Sequence, residues 1–281
     1  MKITNFKIGS DPEYALIDQN NFFVSAIGKV GGSKSVPLSI GNGCSRQEDN
    51  VAIEFCIPPC TNKKEFLDYL NYCEEKGDEL VSKMNLKLVA VSSANYREKE
   101  LANKNAQQFG CSESNCAYSY YSMKPDTKQA GNMRTFGFHI HVGFKMPDDV
   151  DAESIQNFIK YMDMYLGLPS ILIDDDSKRR TLYGKAGDYR VRAINDDLVI
   201  EYRSLGGALL ATDDLKAWVY DNTLLAIENF NNQTELISDE LMQEAINNSD
   251  QYLANKLIND NSNININYLG SSIWKSQKVN G

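Results

Sequence analysis

The sequence predicts an α+β domain that begins with antiparallel strands and continues with strands and amphipathic helices in turn. Three observations carry this expectation. Residues 4–60 break into short apolar runs separated by turn residues and close on Pro58 and Pro59. Single strand-like runs return later as LKLVAVSSA and FGFHIHVGF. Between and after them lie stretches with apolar residues at helical spacing.

In order, FKIGSDPEYALID and NFFVSAIG read as the first strands. A Gly/Ser-rich connection containing Pro37 leads to the next strand, NVAIEFCIPP. Thr61 stands in N-cap position before NKKEFLDYLNYCEEKGDELVSKM, a helix that puts Phe66, Leu67, Leu70, Cys73 and Leu80 on one face. LKLVAVSSA is a strand, and QQFGCSESNCAYSYYS fits neither period, so it reads as a long loop of the kind that lines a site. FGFHIHVGF is again a strand, and DAESIQNFIKYMDMYLGLPSILI is a helix that Pro169 interrupts. DDLKAWVYDNTLLAIENF and SDELMQEAINNSDQYLANKLI complete the helices before the Asn-rich NDNSNININ. No internal repeat or Pro/Ser linker divides the chain. The expectation is one domain over residues 1–281, with a core at about 4–232 and a helical, Asn-rich tail over 233–281.

Composition narrows the function. With 42% hydrophobic and 24% charged residues in 281, the chain has the make-up of an ordinary globular protein. Its net charge of -9 leaves no global basic footprint for nucleic acid, so any phosphate site has to be a local basic pocket. Only two histidines are present, which excludes three- and four-histidine metal centres within one chain. The six cysteines lack the C-x2-C spacing of zinc knuckles. The N-terminus has no signal-peptide pattern, and no apolar run approaches the ~20 residues of a membrane span. A soluble cytoplasmic protein with reduced thiols is expected.

Four segments place ionisable or polar residues an even number of positions apart on expected strands, which puts each pair on one sheet face. They are Asp11 with Glu13, Asn50 with Glu54, His139 with His141, and Glu201 with Arg203. Their neighbours in the alternation, among them Tyr14, Ile53, Ile140 and Tyr202, are apolar or aromatic. The plain reading is four half-exposed strands with wet outer faces. That reading weakens when both histidines of the chain fall in one H-x-H. Carboxylates with one or two imidazoles suit Mg²⁺ or Mn²⁺ better than zinc, and a divalent ion keeps clustered carboxylates ionised together.

Between Lys178 and Arg203 there are seven basic residues against four acidic ones, the one basic island in the chain. A metal beside an arginine-rich segment points to a polyphosphate and to phosphoryl transfer. Walker, kinase H-R-D and G-x-G-x-x-G motifs are absent, so a nucleotide would be held on a sheet. Gly31 to Lys34, GGSK, is a weak candidate for a phosphate-contacting turn.

Taken in order, GSDPEYAL, EDNVAIEFCIPP, QQFGCSESNCAY, RTFGFHIHVG, RRTLYGKAGDYRVR and EYRSLGG resemble the phiEco32-like type-2 amidoligases of large DNA phages. The resemblance runs from about Gly9 to Phe230 and places the chain in a branch of the glutamine synthetase and glutamate-cysteine ligase superfamily. It implies an antiparallel sheet curled into a funnel with helices packed outside, the glutamine synthetase-like catalytic fold. It also implies an ATP- and Mg²⁺-dependent carboxylate-amine ligase that works through an acyl phosphate.

On that resemblance Asp11, Glu13, Glu54, His139 and Glu201 are the metal ligands, and Arg190 and Arg203 hold the transferring phosphoryl or the substrate carboxylate. Arg179, Arg180 and Lys185 form a phosphate clamp with Arg190. His141 is a further catalytic group and Asn50 an ATP- or substrate-binding one. The cofactors implied are ATP with Mg²⁺ or Mn²⁺, and the partners are small-molecule or peptide carboxylates and amines, with no membrane and with an oligomer compatible. A phage-encoded chain would act in the bacterial host cytoplasm. Two other readings stand beside it: a metal-dependent hydrolase or oxygenase built on His139, His141 and a carboxylate, and a non-catalytic anion-binding phage protein on the same fold.

Overall fold

The computed structural model describes residues 1–107, 113–123, 130–148 and 150–264. The strands are β1 (Lys7–Ile17), β2 (Phe23–Val24), β3 (Leu38–Gly41), β4 (Cys44–Asp49), β5 (Ala52–Cys56), β6 (Lys87–Val89), β7 (Ser93–Asn95), β8 (Ser114–Cys116), β9 (Ser119–Met123), β10 (Met133–Thr135), β11 (Phe138–Lys145), β12 (Asp188–Ile194) and β13 (Asp197–Tyr202). The helices are α1 (Lys63–Ser82), α2 (Lys104–Gln107), α3 (Ala152–Met162), α4 (Leu168–Ile173), α5 (Arg179–Leu182), α6 (Asp213–Asn232), α7 (Asp239–Asn247) and α8 (Gln251–Asp260).

The expected α+β class holds. Among the described residues the main sheet runs in the order β3-β4-β5-β1-β11-β13-β12-β8-β9, with β2 and β6 added to β1, and each of its strand pairs is antiparallel. Among the described residues the sheet is open, with β3 and β9 each paired on one side only. β1 lies at its centre and divides its length among four strands. Lys7 to Pro12 pair with β11, Glu13 and Tyr14 with β5, Ala15 to Ile17 with β6, and Leu16 and Ile17 also with β2.

Alternation along these strands separates two faces. Ile8, Tyr14, Leu16, Ile53, Phe55, Phe138, Ile140, Val142, Ile200 and Tyr202 are all buried in one core. The helices cover that side: Phe66 of α1 stacks on Phe138 of β11 at 6.3 Å and meets Tyr220 of α6 at 5.3 Å. Burying such aromatic side chains is a large share of what holds helix to sheet. The opposite face carries the ionisable residues.

Local signals set the helix boundaries. Asn62, one residue beyond the expected Thr61, caps α1 by accepting from Glu65 N, while Glu65 returns a carboxylate to Thr61 N and Oγ1. Asp151, Thr212, Ser238 and Asp250 cap α3, α6, α7 and α8 in the same manner. The helix expected to break at Pro169 passes through a π-helical turn, Asp163–Gly167, and resumes as α4 with Pro169 in its first turn, where no amide is needed.

Three expectations change. The Tyr-rich stretch read as a loop contains the β8–β9 hairpin, although Gln108 to Ser112 of that stretch lie outside the described residues. The single helix expected after Ser238 is two, α7 and α8, broken where Ser249 takes a left-handed conformation with φ +50°. The region set apart as a tail also contributes Met242, Ala245, Ile246, Ala254, Leu257 and Ile258 to the same core as the sheet, so its helices are continuous with the body; residues 265–281 lie outside the described residues. No helix among the described residues is long and apolar enough to cross a membrane.

Candidate active site

Cross-strand register builds the site. Glu13 of β1 stands opposite Glu54 of β5, which stands opposite Gln47 of β4. Asp11 stands opposite His139. His141 stands opposite Glu201 of β13, and Glu201 opposite Arg190 of β12. Because directly paired residues project to the same side, these pairings gather acids from β1, β5 and β13, histidines from β11 and Arg190 from β12 on one face.

Two groups of three ligands result. In the first, Asp11, His141 and Glu201 bring one ligand atom each to within 4.8 Å of one another; in the second, Glu13, Asp49 and Glu54 do the same. Both sets fit a divalent cation. The donors are carboxylate oxygens with a single imidazole, the hard set that Mg²⁺ and Mn²⁺ take. In the first group Glu201 Oε2 is buried without a hydrogen-bond partner, which leaves a lone pair in place for a cation.

Burial and like charge show in the titration of these acids. Burial first, then Asp49, pushes Glu13 up to about 8, against the Gly137 amide that donates to its Oε2 at 2.7 Å. Burial, then Asp11, Asp49 and Glu13, holds Glu54 well above the usual carboxylate range, and burial with Asp11 also raises Glu201. Asp11 goes the other way: burial would raise it, but His141 and His139 beside it hold it well below.

The two histidines take different places. His139 is buried, with Nδ1 3.0 Å from Asp11 Oδ1 and Nε2 3.2 Å from the Tyr183 hydroxyl, so both ring nitrogens are engaged. Burial and the Arg203 charge push it down to about 3 and keep it neutral. His141, expected as a catalytic group, is the one grouped with Asp11 and Glu201, its Nε2 3.4 Å from Asp11 Oδ1. His141 thus lies within a three-ligand group, while His139 lies beside Asp11 with both ring nitrogens engaged. Gly137 is required next to them, since a Cβ there would run into the His139 ring.

Three arginines border Glu201. Arg203 contacts its Oε1, Arg190 lies 3.7 Å from Oε1 and Arg192 3.5 Å from Oε2. Arg203 is buried and also lies 3.8 Å from Asp188, while Arg192 is largely exposed. Together they form a fork of fixed positive charge beside the first ligand group.

The rest of the expected phosphate clamp lies elsewhere. Arg179 is buried and donates to the backbone carbonyls of Phe136, Ser204 and Arg203, so its guanidinium ties strand ends together. Arg180 is buried on Ser170 and Ser249 with Asp174 nearby. Lys185 is exposed, and its carbonyl accepts from Ser204 Oγ. Asn50, expected on the strand face with Glu54, sits in the two-residue turn between β4 and β5 with φ +55°, and its amide donates to the carbonyls of Asn105 and Ala106.

Asp49, Arg192 and Asp188 lie beside these groups, and the strand-by-strand alternation missed them. For Asp49 a signal was there: an Asn in a two-residue hairpin turn sets the pairing of β4 with β5, and that pairing puts Asp49 and Gln47 on the Glu54 side.

A model of the family described as phage phiEco32-like COOH.NH2 ligase-type 2 matches residues 123–267, just over half of the chain. The chain belongs to this family. The match to the type-2 ligases takes in β11, β12 and β13, and with them His139, His141, Arg190, Glu201 and Arg203; Asp11, Glu13 and Glu54 lie ahead of it.

No curated protein matches the chain. Among solved structures, the chain is similar to a GmaS/ADP complex, with 10% identity and TM-score 0.45 over 95% of this chain and 66% of that one. It is also similar to the Plasmodium falciparum glutamine synthetase, at 10% identity and TM-score 0.44 over 82% and 52%. A crystal structure of a novel glutamine synthase homolog gives 11% identity and TM-score 0.42 over 89% and 65%. This member of the type-2 ligases thus spans about half to two thirds of the length of these proteins.

Proposed function

We propose that the protein is an ATP- and Mg²⁺-dependent carboxylate-amine ligase that activates its carboxylate as an acyl phosphate. The observation that carries this reading is the juxtaposition, on one sheet face, of two three-ligand groups with the fork of Arg190, Arg192 and Arg203. A sheet-borne site of this composition suits a magnesium-bound triphosphate, and it needs no glycine-rich phosphate loop.

Asp11, His141 and Glu201 would hold one divalent ion, and Glu13, Asp49 and Glu54 a second. When bound, these ions supply charge neutralisation at the phosphate oxygens. His139 keeps Asp11 oriented and ionised by engaging its Oδ1 while Tyr183 fixes the far edge of the ring. Arg203 and Arg190, always charged, face the phosphoryl group as the substrate carboxylate oxygen attacks the γ-phosphorus and ADP leaves. The amine nitrogen then attacks the acyl carbon, inorganic phosphate departs, and the amine proton passes to a general base. Small-molecule or peptide carboxylates and amines are the substrates, and a host-cell cytoplasm is the setting of the same reading.

Both ring nitrogens of His139 are engaged, by Asp11 and by Tyr183, and His139 is not among the ligand atoms grouped with His141. That counts against a two-histidine hydrolase or oxygenase.

The test is a screen of carboxylates with hydroxylamine as the amine. ATP-dependent hydroxamate with matching ADP release is the expected result. ATP hydrolysis with no hydroxamate from any carboxylate would count against the acyl phosphate.

A further inference from the structure

The loop from Gly28 to Lys34 is pinned along β4. Glu48 Oε1 accepts from the amides of Gly28 and Gly31 at 2.8 and 3.0 Å, Arg46 Nε donates to the Val30 carbonyl at 2.8 Å, and Ser33 and Val36 close a turn with two backbone hydrogen bonds. At Gly32, φ is +79° and a Cβ would stand 2.7 Å from the Arg46 carbonyl oxygen, so this path requires glycine.

The pinned path delivers Lys34 to the second ligand group. Its Nζ lies 2.9 Å from Asp49 Oδ2. Burial would lower the pKa of this ammonium, but Asp49, then Glu54 and Glu13, raise it. The side chain is 50% exposed, so the ammonium can leave without disturbing the core. Three carboxylates whose ligand atoms lie within 4.8 Å of one another repel to the extent that they are ionised, and the ammonium offsets that repulsion in part.

We propose that Lys34 is a built-in counter-cation of Glu13, Asp49 and Glu54, which holds the three carboxylates together without a divalent ion and is displaced when one enters. The inference rests on the reading of that group as a divalent-metal position. It has a direct consequence: the metal-free chain is stabilised by Lys34, whereas the metal-loaded chain is not, and the cost of breaking the Lys34 contact holds the wild type's affinity for that ion below that of a chain without the lysine.

The experiment is Mn²⁺ titration of the full chain, followed by calorimetry and by the electron paramagnetic resonance of free Mn²⁺, for the wild type, Lys34→Met and Lys34→Arg. Thermal melts of each are taken in chelator and in saturating Mn²⁺. Lys34→Met is expected to tighten one Mn²⁺ by roughly two- to tenfold, and Lys34→Arg to stay near the wild type. In the Asp49→Asn background Lys34→Met should give no such gain. The melting temperature of Lys34→Met should fall in chelator and return to the wild-type value with Mn²⁺, so a variant that folds poorly without metal still reports.

Unchanged or weaker Mn²⁺ binding by Lys34→Met, or a melting deficit that Mn²⁺ does not restore, would overturn the proposal. A wild type that binds no Mn²⁺ would overturn the metal reading of the site as well, and is told apart by the wild-type titration alone.

Discussion

Asp11 Oδ1 lies 3.0 Å from His139 Nδ1, across the register of β1 and β11 that makes these two residues direct partners. The contact ties a ligand carboxylate to a histidine that is kept neutral by burial. His139→Ala removes the partner and leaves His141 in place. It is expected to weaken divalent-ion binding by roughly 10- to 100-fold, the usual effect of losing a group that orients a ligand. Calorimetric titration of Mn²⁺ into the variant checks this.

Arg203 and Arg179 separate two roles for a buried arginine. Arg203 contacts Glu201 on the ligand face, whereas Arg179 spends its donors on three carbonyls. Once a turnover assay exists, Arg203→Ala is expected to cost roughly 10²- to 10³-fold in rate. Arg179→Lys is expected to lower the melting temperature in the absence of any ligand, because one ammonium cannot span the three carbonyls that the guanidinium joins. Arg190→Ala should weaken nucleotide binding with the melting temperature of the ligand-free chain little changed.

Much of this face was legible because a period of two is a local property. Asp11 with Glu13, His139 with His141 and Glu201 with Arg203 could be placed on one side of their strands from spacing alone, and the register brings those strands together. What spacing does not carry is depth and pairing. Arg179 and Arg180 belong to a charge run that reads as a phosphate clamp, yet both are buried, Arg179 on backbone carbonyls and Arg180 on two serines. Asn50 falls out of the face because its φ of +55° makes it a turn residue. Asp49 and Lys34 come to the site through a hairpin and a pinned loop, and only the folded chain sets those against Glu13. Which histidine joins the ligand group depends on Tyr183, forty-four residues from His139 in sequence.

The pH dependence of stability follows from the buried groups. Between about 4.5 and 8 the folded chain holds a proton on Glu13 that the unfolded chain has lost, so this contribution to stability falls as pH rises through that window. Between about 3 and 6.5 the unfolded chain binds the proton that neutral His139 refuses, so this contribution is lost on acidification. Together these two groups give a plateau of stability of the metal-free chain from about pH 4.5 to 6.5, falling on either side. Mg²⁺ should stabilise more at pH 8 than at pH 5.5, since it binds the carboxylate forms. Thermal melts across pH 5 to 9 with and without Mg²⁺ test both statements.

Asp163 anchors the back of the site. In the π-helical turn it is fully buried and accepts from the Tyr118 and Tyr202 hydroxyls and the Gly187 amide, with burial pushing it up to about 7. Asp163→Ala leaves these donors unsatisfied and is expected to cost about 2–3 kcal/mol in denaturant unfolding.

Cys56 offers a spectator readout. It lies on β5 two residues beyond Glu54, opposite Ser45 of β4, and partial burial of its thiol with the nearby Asp11 and Glu54 pushes it up to about 11. Alkylation at pH 8 should run roughly tenfold slower than for free cysteine. Mg²⁺ should speed it by neutralising those carboxylates, as mass spectrometry of the labelled chain would show.

The most direct measurement is calorimetric titration of ATP into the purified chain, with and without Mg²⁺, repeated on Glu201→Gln. ATP binding that requires Mg²⁺ and is lost in the variant, with its fold intact by circular dichroism, is the result expected of a site built on Asp11, His141 and Glu201. ATP binding that ignores Mg²⁺ or survives unchanged in Glu201→Gln, or no binding by a well-folded wild type, would contradict the ligase reading.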